Sequence, residues 1–582
     1  MTSPTMESKQ REKAGPAGHR ADLAPRRPVT PSSLGRPALW YTFTAALLLL
    51  VVWPVLLFFL RTFDEGGSAF GRLMAIPDIG STMLTTVLLA AGSTAIGTVA
   101  AVGLAVAALR VPARMRSFAA VVPQIPLVIP PVAFIYGWIF ICDPTVGYLN
   151  TSLRMLPFFS GLKDGPIDIY TYTGIILFTA IEVTGMIFAF VYPRLLEING
   201  SVEAAARVAG ASGLRAFMTI SFPLLRPGLI AGIVVAFLIG VGQFTAPLFL
   251  GARQNIEVMS TEIFRLREAF PIDYPLTAAL GLPLLIFGVL AIVVQRRVVG
   301  DQRRYITQSS GRGMTRKDSK GAVAIVVGYG VIIVGLPLVA IALVAFSPFW
   351  DGNLTSLRFT LDNIIALINN PQVGQSIATS LLASVLAALV VIPLGFATAL
   401  ALSGVVRAPR AVVKTLDFIF IAPLAVPRAL LGMVIVFVFI RPPFSLYGSV
   451  ALFVIGYSFV ALPFALRSQY SSLIGVDKAL FEASRVSGAS QIRMIATIAL
   501  PVARRGIAAA LALSFVMLSN DFAVSVMVQS PNQQVMGTLL YQFGQQGEVP
   551  AVAAMSLLVT LVTAAILAIT VRIGGKSALE SF

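Results

Sequence analysis

The chain has 582 residues, 57% of them hydrophobic and 12% charged, with a mean hydropathy of +0.86. A soluble domain carries about a quarter charged residues, so this composition excludes one. A single cysteine, Cys142, and a single histidine, His19, exclude intrachain disulfides and zinc or iron–sulfur sites.

Apolar runs of about 20 residues, enough to cross roughly 30 Å of hydrocarbon as a helix, recur along nearly the whole chain. Backbone groups find no water at that depth, which leaves helix bundles and closed barrels as the possible folds. The runs are too long and too uniformly apolar for barrel strands. The expected fold is an all-α polytopic membrane protein. The formal charge of +17 then reads as topology, because Lys and Arg collect on cytoplasmic loops, and no nucleic-acid partner is expected.

In chain order, residues 1–37 are polar, basic and aperiodic, the pattern of a disordered cytoplasmic tail. The apolar stretch 38–60 is too long for a signal-peptide core and ends in "LRTFDEGG" without a small-residue cleavage site, so it counts as the first span. Further spans are expected at 82–109, 117–142, 172–193, 227–250 and 274–295. A basic linker, 296–320, follows. Six more spans are expected at 321–346, 377–403, 412–440, 445–466, 506–529 and 549–571, giving twelve in two halves, 38–295 and 321–582. With the tail cytoplasmic, the large majority of the 43 Lys and Arg residues fall on that side, together with both termini.

The halves also match at one constant offset. Arg207, Val208, Gly210, Ala211, Ser212, Arg215, Thr219, Ile220, Pro223, Arg226 and Gly228 align without a gap with Arg485, Val486, Gly488, Ala489, Ser490, Arg493, Thr497, Ile498, Pro501, Arg504 and Gly506. An even number of spans in each half makes the duplication parallel, with its pseudo-twofold axis along the membrane normal. Both copies lie on the cytoplasmic side between the fourth and fifth spans. Each reads as a helix, a glycine-mediated turn, a second short amphipathic helix and a proline that stops it. Such a segment suits docking better than an ordinary loop.

The pattern E-A-A-x-x-x-G, about 20 residues in all and ending in a proline, resembles the EAA loop of permease subunits in binding-protein-dependent ABC importers. In the second half Glu482, Ala483, Ser484 and Gly488 occupy the motif positions. In the first half Ala204 stands where the motif has glutamate, with Glu203 just before it and Ala205 after it. The resemblance implies that Glu203, Ala205, Gly210, Ala211, Ser212 and Glu482, Ala483, Gly488, Ala489, Ser490 dock two ATPase subunits. It implies further a bacterial inner-membrane location and an extracytoplasmic substrate-binding protein as partner. The whole chain resembles fused double permeases of the ferric-iron type, two six-helix domains joined by a linker similar to "RRYITQSSGRG" (303–313). Iron(III) is the implied substrate. Polyamine, thiamine, sulfate and aminoethylphosphonate permeases are similar, and a proton-coupled secondary transporter is the alternative of another class.

The chain is not expected to be an enzyme or to bind a cofactor. Its nearest approach to a phosphate loop, "TVRIGGKS" (570–577), has Thr570 in place of the first glycine and no strand before it. ATP is expected on the partner subunits. Polar residues inside spans are costly and hence candidates for function. Glu182 falls mid-span, and Gln243, Asn520 and Asp521 fall within the expected fifth spans, with Gln243 and Asp521 as repeat mates and Phe244 and Phe522 beside them. They either line a translocation path or bond between helices. The third spans are broken by proline in "PQIPLVIPP" (123–131) and "APLAVPR" (422–428). Arg428, at the second break, could meet an anion, pair with a carboxylate or reach toward the interface.

Overall fold

The computed structural model describes residues 35–198, 205, 206, 208–299, 318–355 and 357–574. The basic tail, most of the linker, and Glu203, Ala204 and Arg207 lie outside the described residues. The chain forms an α-helical bundle whose extended pairing among the described residues is one isolated bridge, Ser530 to Gln533.

Ten helices are long and apolar enough to cross a membrane. In the first half they are Pro37–Ala75, Ile79–Ala108, Tyr172–Glu197, Phe217–Val241 and Tyr274–Gln295. In the second they are Lys320–Ala345, Pro371–Leu402, Val450–Ile474, Gln491–Ser519 and Val549–Ile569. The third position of each half is a bent pair: Ala113–Leu127 with Pro131–Cys142 at 93°, and Arg410–Ala425 with Arg428–Phe439 at 108°. Counting each pair once gives twelve spans. The sequence "IPLVIPP" explains the first break. Pro130 and Pro131 remove two donors, and each proline pushes the residue before it out of helical geometry. Pro427 acts in the same way in the second half, and Arg428 begins the helix after the break.

The fifth spans correct the expected boundaries. They end at Val241 and Ser519 and begin well before 227 and 506. Pro223 and Pro501 do not stop the preceding helices, which run on into these spans. A π-helical turn sits just ahead of each proline, at Phe217–Ser221 and Ile495–Ala499. One extra residue in the turn moves the carbonyl that the proline ring would otherwise strike, and no donor is needed at the proline itself. The first spans use the same device: Leu48–Val52 precedes Pro54, and Gly330–Gly335 precedes Pro337.

The two halves interlock through their broken spans. Gly137 on the first half's third span lies against Pro337 of the second half, where an added Cβ would come within 2.8 Å of the Pro337 carbonyl oxygen. Reciprocally, Phe437 on the second half's third span meets Phe58 of the first half, ring centroids 5.7 Å apart. Small residues at such crossings let helices approach closely in a medium that offers no hydrophobic drive for association.

Candidate functional site

The repeated segment resolves into two capping events. In the second half, the helix Lys478–Val486 starts with the Asp477 side chain accepting the Ala479 N–H at 2.9 Å. It ends at Gly488, whose φ of +79° only glycine adopts freely, with the Ala489 N–H reaching back to the Ser484 carbonyl at 3.1 Å. Ser490 then opens the next helix, its hydroxyl accepting the Arg493 N–H at 3.3 Å. The first half repeats this geometry. Gly210 has φ +89°, Ala211 N–H reaches the Ala206 carbonyl at 3.0 Å, and Ser212 accepts the Arg215 N–H at 3.3 Å.

"GAS" is therefore helix stop, helix spacer and helix start. Ala205, Gly210, Ser212, Glu482, Ala483, Gly488 and Ser490 are exposed, and Ala211 and Ala489 are half-buried. Sequence reasoning passed over the apolar part of this surface: the mates Val208 and Val486 are 90% and 89% exposed. Arg485 anchors the second segment by donating to the Val405 carbonyl in the loop between the second and third spans.

Of the intramembrane polar residues, Glu182 lies within the helix Tyr172–Glu197 as expected, whereas three others lie outside the helices. Gln243, Asn520 and Asp521 occupy the turns that follow the fifth spans. Asp521 is fully buried. One carboxylate oxygen accepts the Val524 and Ser525 N–H groups at 3.0 and 3.2 Å, capping the short helix Ala523–Val528. Its other oxygen faces the Arg428 guanidinium at 3.7 Å, and the Arg428 charge also acts on Glu182. Gln243 accepts the Thr179 hydroxyl through its side chain and the Ser260 hydroxyl through its carbonyl. Asn520 donates to the Val128 carbonyl at 3.2 Å and accepts the Thr563 hydroxyl at 2.8 Å. Val128 lies in the first broken span, so a side chain of one half satisfies a backbone oxygen freed in the other.

The equivalent seam is built differently. In the repeat, Asn520 corresponds to Gly242, Thr563 to Gly288, and Val128 to Ala425. Gly242 packs on Pro427, and Gly288 lies so close to the second break that a Cβ there would stand 1.9 Å from the Ala425 carbonyl oxygen. One seam is polar, the other a close glycine contact.

At the pseudo-twofold axis, two pairs of repeat mates meet. Phe244 and Phe522 stack with centroids 5.7 Å apart, and Phe264 and Tyr541 lie 6.3 Å apart. Phe249 joins Phe522 and Tyr541 at 5.9 and 5.6 Å. Arg267 of the first half donates to the Met527 and Gln529 carbonyls of the second at 3.1 and 3.0 Å, holding the far end of the Asp521-capped helix. The repeat offered a signal for the first pair, Phe244 and Phe522. The second pair follows a conserved register only visible once "VMST" (258–261) is set against "VMGT" (535–538).

Comparison with known proteins agrees with the duplication. The family of binding-protein-dependent transport system inner membrane components matches twice, over residues 97–304 and 391–575. The ferric transport system permease protein FbpB of Actinobacillus pleuropneumoniae is 25% identical over 529 residues, covering 89% of this chain and 75% of that protein. A putative ferric transport system permease protein, FbpB 1 of Haemophilus influenzae, is 24% identical over 504 residues, 83% of this chain and 76% of that one. Among solved structures, a chain of a bacterial ABC transporter that imports the acidic polysaccharide alginate aligns with 44% of this chain and 94% of its own length, at 17% identity and a TM-score of 0.37. Two family matches, in a chain whose helices repeat the same capped segment and the same broken span, lead to one conclusion: the chain belongs to the binding-protein-dependent transport system inner membrane components, as a permease of the ABC importer class with two permease units in one polypeptide.

Proposed function

We propose that this chain forms the translocation path of an ATP-driven importer in the bacterial inner membrane and couples to two ATPase subunits through its two repeated segments. The observation that carries the coupling is the pair of matching stop–start turns, each presenting an exposed valine beside a left-handed glycine. An exposed valine, joined in the second segment by the exposed Ile492, suits burial against an apolar groove of a partner. Orientation follows: these segments and both termini face the cytoplasm, and an extracytoplasmic binding protein delivers substrate to the opposite end.

The path runs between the halves, past Glu182, Gln243, Arg428, Asn520 and Asp521, and the aromatic cluster at the axis closes it in this conformation. The cargo is iron(III), which the two ferric-transport relatives support through matches over most of the chain. Iron is ligated on the binding protein and only passes through this subunit.

The coupling is tested by Gly488→Asp. The expected outcome is normal membrane insertion with loss of ATPase co-purification, and retained co-purification counts against it. Cargo and energy source are tested by uptake of radioactive iron(III) in cells lacking the ATPase, and separately after collapse of the proton gradient. Uptake should vanish in the first and persist in the second. The reverse result makes the chain a proton-coupled carrier.

A further inference from the structure

We infer that the polar seam between the halves holds the tail of a membrane lipid, seated against the first broken span. A cavity of about 190 Å³ opens there, walled by Ile125, Val128 and Pro130 at the break, by Leu338 on the second half's first span, and by Thr560 and Ala564 on its sixth span. Gln124, Thr560 and Thr563 also line it, but they donate to the Ala120, Ser556 and Val559 carbonyls of their own helices, and the surface turned to the cavity is almost wholly apolar. An apolar cavity of this kind does not hold water, which needs two to four polar partners. Left empty, it forfeits dispersion contacts along its whole lining.

The position of its mouth identifies the occupant. Ala564 lines the cavity and is itself exposed, and on the same helix Leu561 and Ile569 are exposed to either side. On the other wall, Leu338 is followed by the exposed Val339. The cavity is therefore a notch in the apolar outer face that the bilayer covers, and the apolar chain available at that depth is a lipid acyl tail. Transfer from bilayer to notch gains nothing from the hydrophobic effect, since both environments are apolar. The gain is packing, as it is between membrane helices.

The opposite seam has no room for such a guest. Gly288 and Gly242 bring the backbones into contact with Ala425 and Pro427 there. At the lipid seam, the side chain of Asn520 stands between the two walls, donating to the Val128 carbonyl and accepting the Thr563 hydroxyl. The duplication thus diverged into one seam sealed by glycines and one completed by the membrane.

The test reconstitutes the full chain in vesicles of phosphatidylethanolamine and phosphatidylglycerol containing a phosphatidylcholine with a diazirine midway along one tail. After irradiation, labelled peptides are mapped by mass spectrometry. Labelling of 121–130 and 560–567 is expected to exceed that of 382–389, an apolar strip whose Leu382, Val385, Leu386 and Leu389 are exposed. Ala564→Trp and Leu338→Trp fill the notch from opposite walls, and each should remove the excess. Two are used so that a variant failing to elute as a monodisperse species leaves the other to decide. Equal labelling of all three regions, excess that persists in a well-folded Trp variant, or labelling only from a head-group diazirine overturns the assignment.

Discussion

At the scale of single residues, the clearest backbone requirement is at Gly210 and Gly488. An added Cβ would meet nothing within 4 Å at either position, so the need for glycine is conformational and not spatial. A side chain in the left-handed region costs about 1–2 kcal/mol, and Asn tolerates that region better than Ala. Gly488→Ala should therefore speed hydrogen exchange at the Ala489 amide by about tenfold, and Gly488→Asn should do so less; equal effects would mean that space, not φ, sets the requirement. The repeat was legible in the sequence because it recurs, but its meaning as two caps depends on the backbone angle of one glycine. Asp143, in the loop after the first broken span, had no sequence signal. It is buried and accepts from Thr145 at 2.6 and 2.9 Å, from Val146 at 3.1 Å and from the Tyr170 hydroxyl at 2.9 Å, with Arg253 3.2 Å away. Burial pushes its carboxyl upward, but these hydrogen bonds outweigh it and hold the group below the usual carboxylate range. A depressed value means stability present above the unfolded pKa of about 3.9 and lost as pH falls through the folded one. Asp143→Asn should lower thermal stability at neutral pH by about 1–3 kcal/mol and flatten its decline in acid; a melting curve series from neutral to acid pH checks both.

At the scale of elements, hydropathy located the spans and prolines located the breaks, because both are local signals. The fifth spans were displaced for a physical reason: Pro223 and Pro501 read as helix stops, whereas a π-turn ahead of each lets the helix continue. Hydropathy alone also carried those spans past Val241 and Ser519 into the short helices Thr245–Leu250 and Ala523–Val528, which are equally apolar. Gln243, Asn520 and Asp521 consequently fall in turns, where Gln243 accepts two hydroxyls, Asp521 caps a short helix, and Asn520 meets the Val128 carbonyl that the first break sets free. The seams make this testable. Asn520→Leu leaves the Val128 carbonyl without its donor and should cost about 1–3 kcal/mol, read as a lower unfolding temperature in detergent. Gly288→Ala should be worse, because its Cβ would lie 1.9 Å from a backbone oxygen that cannot step aside as a flexible side chain can. The opposite order would mean that the glycine seam yields and the polar seam does not.

At the scale of the whole molecule, duplication places repeat mates face to face on the axis, and under the proposed path closure would be a property of pairs. Phe244 and Phe522 are 3% and 2% exposed and stack on each other, so they form one layer. Phe522 also touches Phe249 and Tyr541, and Phe244 also touches Phe264. Two rings in a single layer seal a single hole, and removal of either one opens it. Phe522→Ala should raise passive dye or ion leak through the resting transporter in vesicles, Phe244→Ala should raise it less, and the double variant should exceed Phe522→Ala only slightly. The same variants should show a coupling of about 0.5–1.5 kcal/mol in a double-mutant cycle of thermal stability, the usual worth of an aromatic pair beyond its burial. Two rings in separate layers would behave in the opposite way, each single variant staying tight while the double leaked, because either layer alone would still seal. The leak of the single variants therefore decides whether the axis is closed by one aromatic layer contributed jointly by both halves, as the stacking of Phe244 on Phe522 requires.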